Sequence, residues 1–275
     1  MIEKPVREIP SDRLLLDETG RTGYTDRAEW IFYGGIVMAM EAANCALPEF
    51  VGTSVLDTIG LVLPSTDRVL LCHMHLPKQY PAIGTLSSRS GAAGQIVAMD
   101  DAVKTTNTEV LSVMLPRDSK GWGGHGVHIL VGSDSVADVR FAIQMALELT
   151  EKYAGEVYLN SAGHLEFAYS PSAGPAIQAA FGAPLGQAFG LITGSPASIG
   201  LVMSDLALKS ASVDLVRYYD TDHGTSHTNE VIITLSGDAS DVKLAVLTAR
   251  SAGLQLLSAM GEPAVSVTTP FLEDL

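Results

Sequence analysis

Two tandem copies of one small α/β, sandwich-like domain are what this sequence predicts, and two observations predict them. Charged and glycine positions recur in one order at one spacing, and within each copy the apolar pattern alternates between the strand period and the helix period. The recurrence shows when Asp100 to Val110 is set against Asp205 to Leu215. Asp100 matches Asp205, Lys104 matches Lys209 and Glu109 matches Asp214, each about 105 residues on. Gly132 and Gly237 end two apolar runs at the same spacing. Ala137-Asp138-Val139-Arg140 then meets Ser240-Asp241-Val242-Lys243 after a short gap.

Each copy opens with a segment rich in Gly, Pro and small residues, roughly 50–80 and 165–185. A short strand follows, Ile83 to Leu86 or Phe189 to Ile192. Next comes a helix with one apolar face: Ile96, Met99 and Val103 in the first copy, Ile199, Val202, Met203 and Leu206 in the second. Asp100 with Lys104 and Asp205 with Lys209 are i,i+4 pairs in the favourable order, each worth a few tenths of a kcal/mol on a solvated helix. Strands are expected at Val110 to Leu115 and Leu215 to Tyr219, then, after a loop, at Val127 to Val131 and Val231 to Leu235. A last helix enters through Ser135 or Asp238 as N-cap, and Val242, Ala245, Val246 and Ala249 give the second one its apolar face.

Composition narrows the function. The 275 residues carry a formal charge of −14 and no basic cluster, which excludes nucleic acid and an anionic membrane surface as partners. Charged residues make up only 17%, below the roughly 25% of an average soluble domain, so much of the surface is expected to be covered, by oligomer interfaces or by a ligand in a large cleft. Cys45 and Cys72 lie far apart with no CxxC, as in a reducing compartment, and both read as buried small hydrophobes. The start of the chain lacks the basic-plus-apolar run of a signal peptide, and Trp30 to Met40 is too short to span a bilayer. A cytoplasmic protein is expected.

These stretches resemble the bacterial microcompartment shell domain. The matching residues are Lys209 to Leu215, Gly237-Asp238 and the helix Asp241 to Val246. The tandem-domain shell proteins of propanediol- and ethanol-utilisation compartments are similar over more of the chain. That likeness runs through Glu49 to Thr53, Asp57 to Val62, Lys104 to Val110, Pro116 to Gly121, Ala162 to His164, Ala180 to Pro184 and His223 to Ser226. It implies circularly permuted, ferredoxin-like α+β domains at 49–155 and 156–262, with an N-terminal extension at 1–48 and a C-terminal tail at 263–275. It also implies a trimer forming a pseudo-hexamer, located in the shell of a cytoplasmic microcompartment. The partners implied are further copies of the chain, other shell proteins, enclosed enzymes and small metabolites crossing a pore.

By the same resemblance, six loops from three chains ring the symmetry axis. The pore-lining residues expected are Ser119, Lys120, Gly121, Trp122, Gly123, Gly124 and His125 from the first copy. The second copy adds Asp222, His223, Gly224, Thr225 and Ser226. Glycines suit crowded backbones at an axis, and their amides can meet polar metabolites. Trp122 could narrow the opening or fold back into an interface. Lys104, Asn107 and Lys209 are expected at the lateral edges where tiles meet. Residues 28–47 are apolar enough to pack on the chain's own domain or to offer a surface to enclosed enzymes or a neighbouring tile.

Other chemistries find little support. Gly121 to Gly126 satisfies GxGxxG, but the apolar strand-like run at Val127 replaces the helix that dinucleotide binding requires. His223 and His227 lie four apart in a loop, where that spacing implies no shared face, and His73 and His75 flank Met74. No metal and no cofactor are expected. No GxSxG, HExxH or GxxxxGK[ST] occurs, so no catalytic residue is assigned. The alternatives are a soluble small-molecule-binding protein with a cleft between its copies, and an enzyme using His125, His223 or Asp222 at an inter-subunit site.

Overall fold

The computed structural model describes residues 47–117, 125–221 and 228–275. The first copy contributes β1 (Glu49–Ser54), β2 (Thr58–Leu63), α1 (Arg68–His73), β3 (Ala82–Ser88), α2 (Ala93–Lys104), β4 (Glu109–Met114), β5 (Val127–Ser133) and α3 (Val136–Tyr153). The second contributes β6 (Val157–Asn160), β7 (Gly163–Ser170), α4 (Pro175–Phe181), β8 (Ala188–Ser195), α5 (Ala197–Ser210), β9 (Val213–Tyr219), β10 (Val231–Gly237), α6 (Ala239–Ser258) and β11 (Val265–Ser266).

The duplication extends to the strand order. One antiparallel sheet runs β1-β2-β3-β5-β4, and the other repeats it as β6-β7-β8-β10-β9, with β11 added beside β6. Even the irregularities recur: the pairing slips at Leu111 in β4 and at Val216 in β9. Two helices pack on each sheet, α2 with α3 and α5 with α6. Their closeness depends on matched glycines. A Cβ at Gly84 would meet Val139 at 2.7 Å, and one at Gly190 would meet Val242 at 2.9 Å, so side chains there would push the helices off the sheets.

The final helices start as the sequence predicts, with one difference. Ser135 caps α3 by accepting from the Asp138 amide at 3.2 Å, whereas Asp238 holds the N-cap position of α6 without a side-chain cap. The expected face of α6 is fully buried at Val242, Ala245, Val246 and Ala249. Cys72 corrects an expectation. It is exposed on α1, a short helix that buries only Leu71; Cys45 lies outside the described residues.

The two copies share a core. α2 packs on β7 and α4, and α4 packs on β4, so Ile96, Val97 and Val103 join Ala173, Ile177 and Phe181 in one apolar cluster. Carboxylates close this boundary from both sides. Neither α2, which starts at Ala92, nor α4, which starts at Gly174, has a side-chain cap from its own N-cap residue. Glu166 of β7 accepts from the Ala92 and Ala93 amides at 3.1 and 3.0 Å. Asp100 of α2 accepts from Gly174, Ala176 and Ile177 at 2.8, 2.9 and 3.1 Å. Each copy caps a helix of the other. Asp100 is therefore no solvated partner of Lys104, as its i,i+4 spacing suggests, but a fully buried group.

Asp100→Ala is expected to destabilise the fold by about 2–4 kcal/mol in urea unfolding, because it orphans three buried amides and leaves Lys104 short of a partner. Lys78→Ala, which breaks an exposed pair with Glu109, is expected to leave the midpoint unchanged.

Candidate functional site

The two loops expected to line a pore occupy equal places in the repeats, one between β4 and β5 and the other between β9 and β10. Residues 118–124 and 222–227 lie outside the described residues, so Ser119, Lys120, Gly121, Trp122, Gly123, Gly124, Asp222, His223, Gly224, Thr225 and Ser226 have no described placement. Their stems are described, and the stems touch.

His125 ends the first loop and Glu230 follows the second. Glu230 is 1% exposed and holds an imidazole on each oxygen: His125 Nδ1 lies 2.9 Å from Oε1, and His164 Nε2 of β7 lies 3.1 Å from Oε2. His125 is itself only 7% exposed, so its ring faces the chain's interior rather than an open rim. The stems are further ordered by Arg117, which bridges to His125 in the strand sense, and by the Gly126 amide on the Pro116 carbonyl at 2.9 Å. Next to Glu230, Asn229 accepts from the Ala197 amide at 3.0 Å and thereby caps α5. His164, the third member of the cluster, carries no sequence signal for this role beyond its residue type.

Electrostatics sets the character of this cluster. Burial alone would raise the Glu230 carboxyl, but the hydrogen bonds and charge of His125 and His164 outweigh it and hold the group at about 2. Glu166 goes the other way. Burial raises it above the ordinary carboxylate value, against the opposing pull of the Ala92 and Ala93 amides and of His164. A cavity of about 20 Å³ lies among Arg89, His125, His164, Glu166 and Glu230, room for about one water. Among the described residues, no group of three or more His, Cys, Asp or Glu is arranged to hold a metal ion.

The residues expected at tile edges differ in their surroundings. Lys104 is bound to Asp100 at 2.8 Å and Asp101 at 3.2 Å on its own helix, and across the repeat boundary to the Ser172 carbonyl at 2.6 Å. Asn107 is exposed. Lys209 is 70% exposed and, among the described residues, pairs with its helical neighbour Asp205 at 2.6 Å.

A sheet-and-helix unit built twice, with paired loops hung from one buried junction, is the framework of a structural repeat protein. The BMC domain family matches residues 82–162 and 188–265, and the chain belongs to that family. The bacterial microcompartment shell protein PduB of Citrobacter freundii is 49% identical over 223 residues, covering 81% of this chain and 83% of the relative. Two crystal structures are similar at 46% identity over 82% of this chain. One, a trimeric bacterial microcompartment shell protein PduB, gives a TM-score of 0.79 and is wholly covered. The other, EtuB from Clostridium kluyveri, gives 0.78 and is covered to 99%. The chain is thus a shell protein, structural rather than catalytic. No helix among the described residues is long and apolar enough to cross a membrane.

The cluster predicts a pH dependence of defined sign. Glu230 titrates below its ordinary value of 4.5, so the stability it adds is complete above pH 4.5 and is lost as pH falls toward 2. Glu166 has the opposite sign, favouring the fold in acid and losing that contribution as pH rises through its raised value. Thermal melts between pH 5 and 2 are expected to fall steeply for the native sequence and less steeply for Glu230→Gln.

Proposed function

We propose that three copies of this chain close into a flat, pseudo-hexagonal tile of a microcompartment shell, with the loops at 118–124 and 222–227 crowding its axis to form a pore for small polar metabolites. The observation that carries this reading is the His125–Glu230 contact. It joins the stems of equivalent loops from the two copies, so both loops leave the chain at one place. The trimeric state of the similar PduB crystal structure supports the same arrangement.

Selection would follow from pore width, backbone amides and local charge, with Lys120 and Asp222 of opposite sign at the rim and Trp122 able to narrow it. His125 serves as the buried anchor of its loop. Asn107, exposed beyond α2, is assigned to contacts between tiles. Other shell proteins would be lateral neighbours and enclosed enzymes would lie behind one face. The cavity at the repeat boundary is already filled to within one water, which disfavours the reading of a cleft that takes up a metabolite within the chain.

Light scattering on the purified protein is expected to give about 87 kDa, three times the chain's 29.0 kDa, with sheet-like arrays at high concentration. A monomer at micromolar concentration would refute the tile. Shortening both loops to two glycines is expected to keep the trimer and to increase the leak of polar metabolites from assembled shells. An unchanged leak would refute the pore.

A further inference from the structure

Set beside the boundary inside the chain, the free edges of the two copies show what meets them. Positions of α5 map onto α2 through the Asp205–Lys209 match. Leu201 and Val202, 54% and 44% exposed, correspond to Ile96 and Val97, which are buried to 0% and 1% in the apolar cluster that joins the two copies. Positions of α1 map onto α4 through Pro64-Ser65 and Pro171-Ser172. Val69 and Leu70, 66% and 49% exposed, correspond to Ala176 and Ile177, both fully buried. The chain thus carries both halves of its own internal boundary a second time, apolar and, among the described residues, exposed.

The polar groups at this second boundary differ. Glu166 pairs with Thr193 in its sheet, and Ile59 pairs with the matching Ser87, so an apolar side chain stands where the capping carboxylate stood. The helix that carboxylate would have capped, α5, is instead capped within its own copy by Asn229. At the other helix, Asp67 occupies the place of Gly174 and caps α1 itself, accepting from Val69 and Leu70 at 2.8 and 3.2 Å. Gly174 leaves no space for such a side chain: a Cβ there would lie 2.6 Å from Lys104 Cε and 2.8 Å from both Asp100 carboxylate oxygens. An Asp205–Lys209 pair approaching Asp67 cannot repeat the inner arrangement. Two carboxylates would face each other with Lys209 as the cation between them.

Resting on the trimeric reading above, we propose that the α5 face bearing Leu201 and Val202 docks on the α1–β2 edge of a second copy, and that Lys209 bridges its own Asp205 to Asp67 of that copy. The ring then alternates two chemistries. Boundaries within chains are closed by buried reciprocal caps, and boundaries between chains by an apolar contact with a titratable ion bridge.

The test uses the full chain with Cys45 and Cys72 replaced by Ser. Lys209→Cys together with Asp67→Cys is expected to yield a covalently closed trimer with a short bifunctional thiol cross-linker, and neither single variant should. Separately, Lys209→Asp or Asp67→Lys is expected to raise the concentration at which the trimer dissociates by on the order of tenfold, and the two combined should restore it, with far-UV circular dichroism unchanged throughout. Absence of the cross-link in a protein that light scattering shows to be trimeric would overturn the docking face while leaving the trimer standing. Failure of the charge swap to restore assembly would overturn the ion bridge. A monomeric parent would instead refute the trimeric reading itself.

Discussion

The arrangement of this chain depends on two buried carboxylates that cross the boundary between its halves. A helix start leaves amides without intrahelical partners, and burying them unpaired costs about 1–3 kcal/mol for each group. Here α2 and α4 both begin without a capping side chain of their own, and each is completed by the other half, through Glu166 and Asp100. Neither half can bury its helix start alone. The two domains are thereby fixed as one body, and that fixed relation positions the loop stems His125 and Glu230 against each other.

Much of this was legible in the sequence. The spacing between Lys104 and Lys209 located the repeat, and the apolar periodicity located its strands and its long helices, because packing inside one copy is a local affair of neighbouring elements. What the spacing could not convey was the surface a second copy would cover. Asp100 has the spacing of an ordinary surface ion pair, and only its burial by α4 changes its meaning. A usable signal was present all the same. Ala92 and Gly174 open helices where Ser, Thr, Asp or Asn is preferred, and a missing cap implies a donor from elsewhere. Cys72 misled in the opposite direction, since residue type suggested burial while a six-residue helix that buries only Leu71 offers almost no interior. The pairing of His125 with Glu230 and His164 was out of reach, because it joins residues from three elements of two copies and no periodicity links them.

The stem cluster and the caps form a continuous system. Glu166 caps α2 and feels His164, His164 holds Glu230, and Glu230 holds His125. Loop geometry and domain geometry are therefore coupled through charge and hydrogen bonding rather than through apolar packing alone. Such a system tolerates little substitution, because removing one partner strands another in a low-dielectric setting. On the proposed reading, the loops at 118–124 and 222–227, rich in glycine and short polar side chains, would set what passes while the stems build the wall.

The same division of labour explains why the outward-facing equivalents of the caps have changed. Inside the chain, reciprocal capping is acceptable because folding brings the partners together in a unimolecular step. Between chains, a helix start that waited for a carboxylate from another molecule would leave buried or half-buried amides unpaired in every unassembled copy. Asp67 and Asn229 remove that dependence by completing α1 and α5 within their own halves. The exposed face that remains is apolar, with Lys209 and Asp205 beside it, a surface that a single chain can carry in water and still close on a second copy. In the proposed docking, a protomer can fold fully before it meets another, because its outward helix starts are already capped.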